Sequence, residues 1–338
     1  MDKKSIIENV KKVNDYWLEK NPDTGICAWE RACYFTGLLD AYRLTGEKKY
    51  LDFAISWANK NEWRFYDDLD NNTENADSIL CGEAYLDLID EFGADGTDVY
   101  MLKTLDTLCA SDKNDYWWWV DTIYMALNII NRFGVRQNDL KYCDKAYKLY
   151  YNSKIERNCF DAKYNLWYRD ERFLPDKMRN KDGKEIFWSR GNGWVFAGIA
   201  KTLDTLEPDN PYYGEYSDMF KKMAEKILSL QLDDGFWHTD LLSPEIFDMP
   251  EVSGTVLFTL GFLIGYRLGL LGKEYLSAAV KGYEAITNEA IDENGKIGWV
   301  QIVAWDPGPV DRESSNDYAV GAYSKVSYEL VKILGSNG

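Results

Sequence analysis

The sequence predicts an all-α protein, an (α/α)6 barrel of six inner and six outer helices, as one domain over residues 1–338. Three observations support this. Apolar residues recur at helical spacing almost throughout, and few stretches alternate as half-buried strands do. The helices fall into two kinds, one rich in small and apolar residues, the other amphipathic and charged. The two kinds alternate strictly, six of each.

In chain order, "MDKKSIIENVKKVNDYWLEK" is an outer helix with Ile6, Ile7, Val10, Val13 and Trp17 on one side. "RACYFTGLLDAYRLTG" (31–46) is the first inner helix and ends on glycine, the usual stop. "KKYLDFAISWANK" is outer, and "SILCGEAYLDLIDEFG" (78–93) is inner. "DVYMLKTLDTLCA" is outer, and "DTIYMALNIINRFG" (121–134) is inner. "LKYCDKAYKLYYNSK" then precedes the inner "GNGWVFAGIAKTLDTL" (191–206), and "YSDMFKKMAEKILSLQ" the inner "GTVLFTLGFLIGYRLGLLG" (254–272). "KEYLSAAVKGYEAITNEA" and "AVGAYSKVSYELVKIL" (319–334) complete the set. Four of the last five outer helices share a tyrosine followed by an alanine or bulky apolar residue, an internal repeat of about 45–60 residues. An open solenoid would use the same pairs. Closure is favoured because six apolar helices need burial on all sides and neither end carries a polar cap.

Composition narrows the function. A net charge of −17 argues against nucleic acid or an anionic membrane as partner. No segment is long and apolar enough to cross a bilayer, and the N-terminus lacks a cleavable leader pattern, so a cytoplasmic protein is expected. Cys27, Cys33, Cys81, Cys109, Cys143 and Cys159 form no C-x-x-C pair and lie in apolar segments, which reads as reduced, buried thiols. With His238 as the single histidine, a histidine-rich metal site is impossible. No metal and no cofactor are expected, and the chain is expected to be a monomer or weak homo-oligomer. Thirteen tryptophans can fill a core or stack on sugar rings; their positions must decide.

In such a barrel the inner helices run the same way, so their N-termini gather at one mouth and favour anions. The residues before them are Trp29-Glu30-Arg31, Asn75-Ala76-Asp77, Trp117-Trp118-Trp119-Val120-Asp121, Trp188-Ser189-Arg190, Pro250-Glu251-Val252-Ser253 and Asn316-Asp317-Tyr318. Carboxylates occur in five of the six and tryptophan in three, which turns the tryptophan count toward a carbohydrate cleft. Asp121 and Asp77 are each either a helix N-cap or an acid whose pKa is raised by aromatic surroundings. Arg190 is either a barrel ion-pair partner or a planar fork for a substrate carboxylate. Gly191 and Gly193 permit close approach of backbone to a ligand. In the long charged loop 159–187, Arg169, Asp170 and Glu171 can reach the mouth or stay solvated. His238 reads as structural or as a subsite edge.

"WERACYFTGLLDAYRLTGEKKYLDFAISWA", "NADSILCGEAYLDL", "WWWVDTIYMA", "FWSRGNGWVFAGIAKTL", "PEVSGTVLFTLGF" and "GKIGWVQ" occur in an order that resembles glycoside hydrolase families 105 and 88. The resemblance spans nearly the whole chain, and R-G-N-G-W is its most specific element. It implies the (α/α)6 barrel and the removal of a terminal 4,5-unsaturated uronic acid from lyase-generated oligosaccharides, pectin or rhamnogalacturonan fragments foremost. The implied chemistry is hydration of the C4=C5 vinyl ether, without a cofactor. By resemblance Asp121 is the principal acid/base and Asp77 the second carboxylate, while Arg190 and Trp194 hold the uronate. Trp188, Asn192, Trp118, Trp119, Arg169 and Glu30 complete the expected binding set. The cleft histidines of better-known members are missing, with Arg169 standing in the neighbourhood of one. A sugar epimerase or isomerase and a non-catalytic uronate-binding relative are the alternatives.

Overall fold

The computed structural model describes residues 2–66 and 74–336. An outer helix α1 (Lys3–Lys20) leads to inner α2 (Trp29–Thr45), then outer α3 (Lys48–Lys60). The second inner segment is α4 (Ala76–Ile79) and α5 (Cys81–Asp90), followed by outer α6 (Val99–Ala110). The third starts as a π-helical turn, Ile123–Leu127, and continues as α7 (Asn128–Gln137); α8 (Leu140–Tyr151) is outer. A two-residue hairpin, β1 (Phe160–Asp161) with β2 (Leu166–Trp167), precedes inner α9 (Ser189–Thr205). Outer α10 (Tyr213–Leu228), inner α11 (Val252–Arg267), outer α12 (Lys273–Ala285) and inner α13 (Asp317–Ser336) finish the chain.

The inner elements close a ring. α2 packs on α5, α4 on the π-turn, the π-turn on α9, α9 on α11, α11 on α13, and α13 back on α2. That last contact excludes the open solenoid. It depends on bare backbone: a Cβ on Gly37 would overlap the Gly321 carbonyl, and one on Gly321 the Cys33 carbonyl. Outer helices bury one stripe each, as α1 does with Ile6, Val10, Val13 and Trp17. Gly46 ends α2 in the left-handed conformation at φ 67°.

Two features departed from the sequence reading. The second inner helix is interrupted at Leu80, and the third opens with the π-turn. The barrel is also less apolar inside than its helices suggest. Lys325 pairs with Glu83 at 3.0 Å and Asp40 at 3.3 Å, and Lys201 pairs with Glu83, all buried or nearly so. Burial opposes the charged form of Glu83, but Lys201 and Lys325 prevail and hold it well below the usual carboxylate range. No disulfide joins the six cysteines, and five of them are buried.

Candidate active site

Ring contacts show which inner-helix starts meet. Trp29 stacks on Tyr318 at 5.4 Å and meets Trp194 edge-on at 6.3 Å. Arg190 at the start of α9 donates to Tyr318 Oη at 2.8 Å and to Ser253 Oγ at 3.4 Å. Asp77 and Asp121 feel one another's charge. The N-termini therefore share one mouth, as closure requires.

Neither acid is a cap. Asn75 caps α4, taking the Asp77 N–H at 3.1 Å, and leaves the Asp77 carboxyl free for the cleft. Asp121 is buried, and its Oδ1 has no hydrogen-bond partner among the described residues. Its backbone carbonyl instead accepts from Tyr124 and Met125, starting the π-turn. A Cβ on Gly198 would lie 2.7 Å from the Ile123 carbonyl, so α9 presses closely on that turn.

The electrostatics suit proton transfer. Burial, then the charge of Asp121, pushes the Asp77 carboxyl up to about 7, against the pull of Arg169. Burial also raises Asp121, while Arg169 and Arg190 oppose it. Half-buried Glu30 is raised by burial, with Asp317 adding to it. A buried carboxyl without hydrogen-bond donors keeps its proton, as a general acid near neutrality must.

Arg169 supplies the cation between them. Its Nε lies 3.8 Å from Asp121 Oδ2 and makes no hydrogen bond among the described residues, while Nη1 donates to Asp170 at 2.7 Å. The Val120 N–H donates to the Arg169 carbonyl at 2.9 Å, and Trp119 bridges to Asp170. The long loop is thus stitched to the start of the third inner helix. Glu74, Asn75, Asp77, Tyr116, Trp118, Trp119 and Arg169 line a cleft of about 420 Å³. Tyr116 and Glu74 escaped the sequence reading, although Tyr116 directly precedes the tryptophan run. Asp170, which the sequence left either at the mouth or solvated, holds Arg169.

Four expected binding residues also hold the chain itself together. Arg190 is 1% exposed and spends its guanidinium on the chain itself. Nη1 donates to the Gln301 carbonyl at 2.7 Å and Nη2 to the Ile302 carbonyl at 3.1 Å, with Trp188 stacked at 4.4 Å. It clamps loop 301–304. Trp194 is buried among Tyr124, Trp29 and Tyr318. Trp188 is buried and donates its indole N–H to Gln301 at 2.7 Å. Asn192 bridges Trp167 N–H and carbonyl at 2.8 and 3.0 Å. Gly193 makes room for Leu257 of α11 rather than for a ligand, whereas Gly191 lies beside Asp121. Glu251 caps α11, taking the Ser253 and Gly254 N–H groups at 2.7 Å each. His238 is buried against the Pro244 carbonyl at 3.2 Å and Asp234 at 3.4 Å. Among the described residues, no group of three or more His, Cys, Asp or Glu is arranged to hold a metal ion.

An α/α barrel whose mouth carries an uncapped carboxyl pair, an arginine and indole faces belongs with the carbohydrate-processing enzymes built on six inner helices. The profile of Glycosyl Hydrolase Family 88 matches residues 3–334. The chain is 31% identical over 344 residues to the unsaturated 3S-rhamnoglycuronyl hydrolase of Formosa agariphila, spanning 94% of this chain and 88% of that protein. A solved polysaccharide lyase superposes with a TM-score of 0.91 at 30% identity, covering 99% of this chain and 98% of that one. A family 88 glycosyl hydrolase from Bacteroides vulgatus superposes at 0.90 with 29% identity, covering 98% and 99%. This chain belongs to glycosyl hydrolase family 88 and is a glycoside hydrolase.

Proposed function

We propose that the enzyme removes a terminal 4,5-unsaturated uronic acid from oligosaccharides by hydrating the C4=C5 vinyl ether. The observation that carries this reading is the uncapped, desolvated pair Asp77 and Asp121 facing one partly buried arginine, Arg169. Two such carboxyls cannot both ionise cheaply, so the pair retains one proton near neutral pH. Burial raises both carboxyls, Asp77 to about 7, and Arg169 opposes the rise at each. An incoming uronate carboxylate engages Arg169, weakens its pull on both carboxyls and favours a proton on Asp121. Asp121 then protonates C4, and positive charge develops at C5 and the ring oxygen. Its carboxylate takes a proton from water as the hydroxyl bonds to C5. The hemiketal formed opens and releases the following sugar. Trp118 and Trp119 offer stacking faces, and Glu30 adds a polar edge. Arg190, Trp188, Asn192 and Trp194 act on this site by fixing its floor and rim.

The Formosa agariphila relative directs attention to rhamnose after the uronate, ahead of pectin fragments. Thiols not joined by disulfides fit a cytoplasmic, reducing setting, and a monomer suffices for the site as built. No helix among the described residues is long and apolar enough to cross a membrane.

A second reading has one specific observation behind it, the likeness to a polysaccharide lyase. In that reading the same pair removes the C5 proton of a saturated uronate and protonates the departing oxygen, which creates the double bond. The test is the ultraviolet absorbance of the conjugated uronate. The hydrolase consumes it from unsaturated disaccharides; the lyase generates it from saturated polymer.

A further inference from the structure

Beyond the cleft, two large indoles stand out of the surface where two loops meet. Trp118 is 45% exposed and Trp305 44% exposed. They come from segments nearly two hundred residues apart, and the side chain between them is Arg172. Its guanidinium carbon lies 4.4 Å from the Trp305 ring centroid and 6.0 Å from that of Trp118. Arg172 Nε and Nη2 both donate to Asp170, at 2.9 and 2.8 Å. Its Nη1 has no protein partner among the hydrogen bonds of the described residues, and its side chain is about half exposed. Phe173 packs edge-on against Trp305 at 6.0 Å. Asp306 lies near enough to act on Arg172 through its charge but forms no ion pair with it.

The arrangement is built rather than incidental. Asp170 holds Arg172 on one side and Arg169 of the cleft on the other. Loop 301–304, which leads to Trp305, is fixed by the Arg190 clamp. Trp118 lines the cleft and also reaches the rim. Two stacking faces flanking a guanidinium with an unused donor edge are the chemistry that receives a sugar ring bearing an anionic group. On a surface of net charge −17, such a local cation is needed to draw an anion at all.

We propose that Arg172, with Trp118 and Trp305, forms a leaving-group subsite that reads a sulfate ester or carboxylate on the sugar following the uronate. This deepens the uronyl hydrolase reading and rests on it for which sugar ring occupies the subsite. The probes are unsaturated uronyl-rhamnose, the same disaccharide 3-sulfated, and an unsaturated diuronate whose second sugar carries a carboxylate. Wild type, Arg172→Gln, Arg172→Lys and Trp305→Ala are compared by calorimetric Kd and by KM against kcat. Wild type is expected to prefer one of the anionic disaccharides over the neutral one; which one identifies the group read. Arg172→Gln is expected to cut that preference roughly tenfold, mainly in KM, with partial recovery in Arg172→Lys. Trp305→Ala is expected to weaken all three. A general weakening by Arg172→Gln with the preference intact would mean that it only supports Asp170, and would overturn the subsite. So would a wild type without preference. If calorimetry shows the Arg172-dependent preference but no disaccharide is turned over, the hydrolase reading fails and the subsite stands.

Discussion

Asp77→Asn should make the protein more stable and inactive together, with a gain that grows with pH. The folded Asp77 carboxyl is raised from 3.8 to about 7. It therefore holds its proton more tightly than the unfolded chain does. Between those two values the folded state carries the extra proton, so stability contributed by Asp77 falls as pH rises through the window and stays low above it. The full shift is worth about 4 kcal/mol at pH 8 and about 1.7 kcal/mol at pH 5. Asp77 opens onto the cleft, and solvent screening reduces these to about 2 and about 1 kcal/mol. Asparagine has the same shape and cannot ionise, so it removes that cost. At about 0.7 kcal/mol per kelvin for a chain of this length, the Tm of Asp77→Asn rises by about 3 °C at pH 8 and about 1 °C at pH 5. Matched scanning calorimetry of wild type and variant at both pH values, beside an activity assay, reads the effect. An equal change at the two pH values, or a less stable variant at pH 8, would refute the claim that Asp77 is held as an acid at a stability cost.

The same electrostatics predict that kcat/KM falls on the alkaline side with a midpoint near the Asp77 value of about 7; a profile flat to well above that point contradicts the assignment. Arg190→Ala should lower stability by about 3 kcal/mol, because it leaves the Gln301 and Ile302 carbonyls unpaired. A variant that keeps its Tm and shows only a raised KM would restore the uronate-fork role. Asn192→Ala removes two hydrogen bonds to Trp167 and should cost about 2 kcal/mol in urea unfolding with m unchanged. Gly37→Ala drives a methyl into the Gly321 carbonyl and should cost about 3 kcal/mol or more, read as insolubility or a sharply lower Tm.

The architecture was legible because it is written in periodicity. Small-residue helices alternating with charged ones left ring closure as the arrangement that buries them all. The positions of Asp77 and Asp121 followed from the same logic, since helix starts converge at one mouth. Their freedom from capping did not, because the capping partner of α4 is Asn75, two residues away, and the π-turn after Asp121 leaves no periodic trace. The clamp made by Arg190 was hidden for a physical reason. Its partners are carbonyls of residues 301 and 302, more than a hundred positions along the chain, and a backbone carbonyl has no signature in the sequence. Arg169 was expected at the cleft and Arg172 was not singled out; the Asp170 pairing and the Trp119 bridge show how the loop places both. The pairing of Trp118 with Trp305 across two loops was beyond any local pattern.

The central claim is that Asp121 and Asp77 consume a C4=C5 double bond. The direct measurement is ultraviolet absorbance of unsaturated uronyl-rhamnose, plain and 3-sulfated, incubated with wild type, Asp121→Asn and Asp77→Asn, with saturated polymer run in parallel. The account predicts that absorbance decays with wild type, that each variant slows the decay at least about 100-fold, and that saturated polymer gains none. Rising absorbance from the polymer, or full decay with Asp121→Asn, would contradict it.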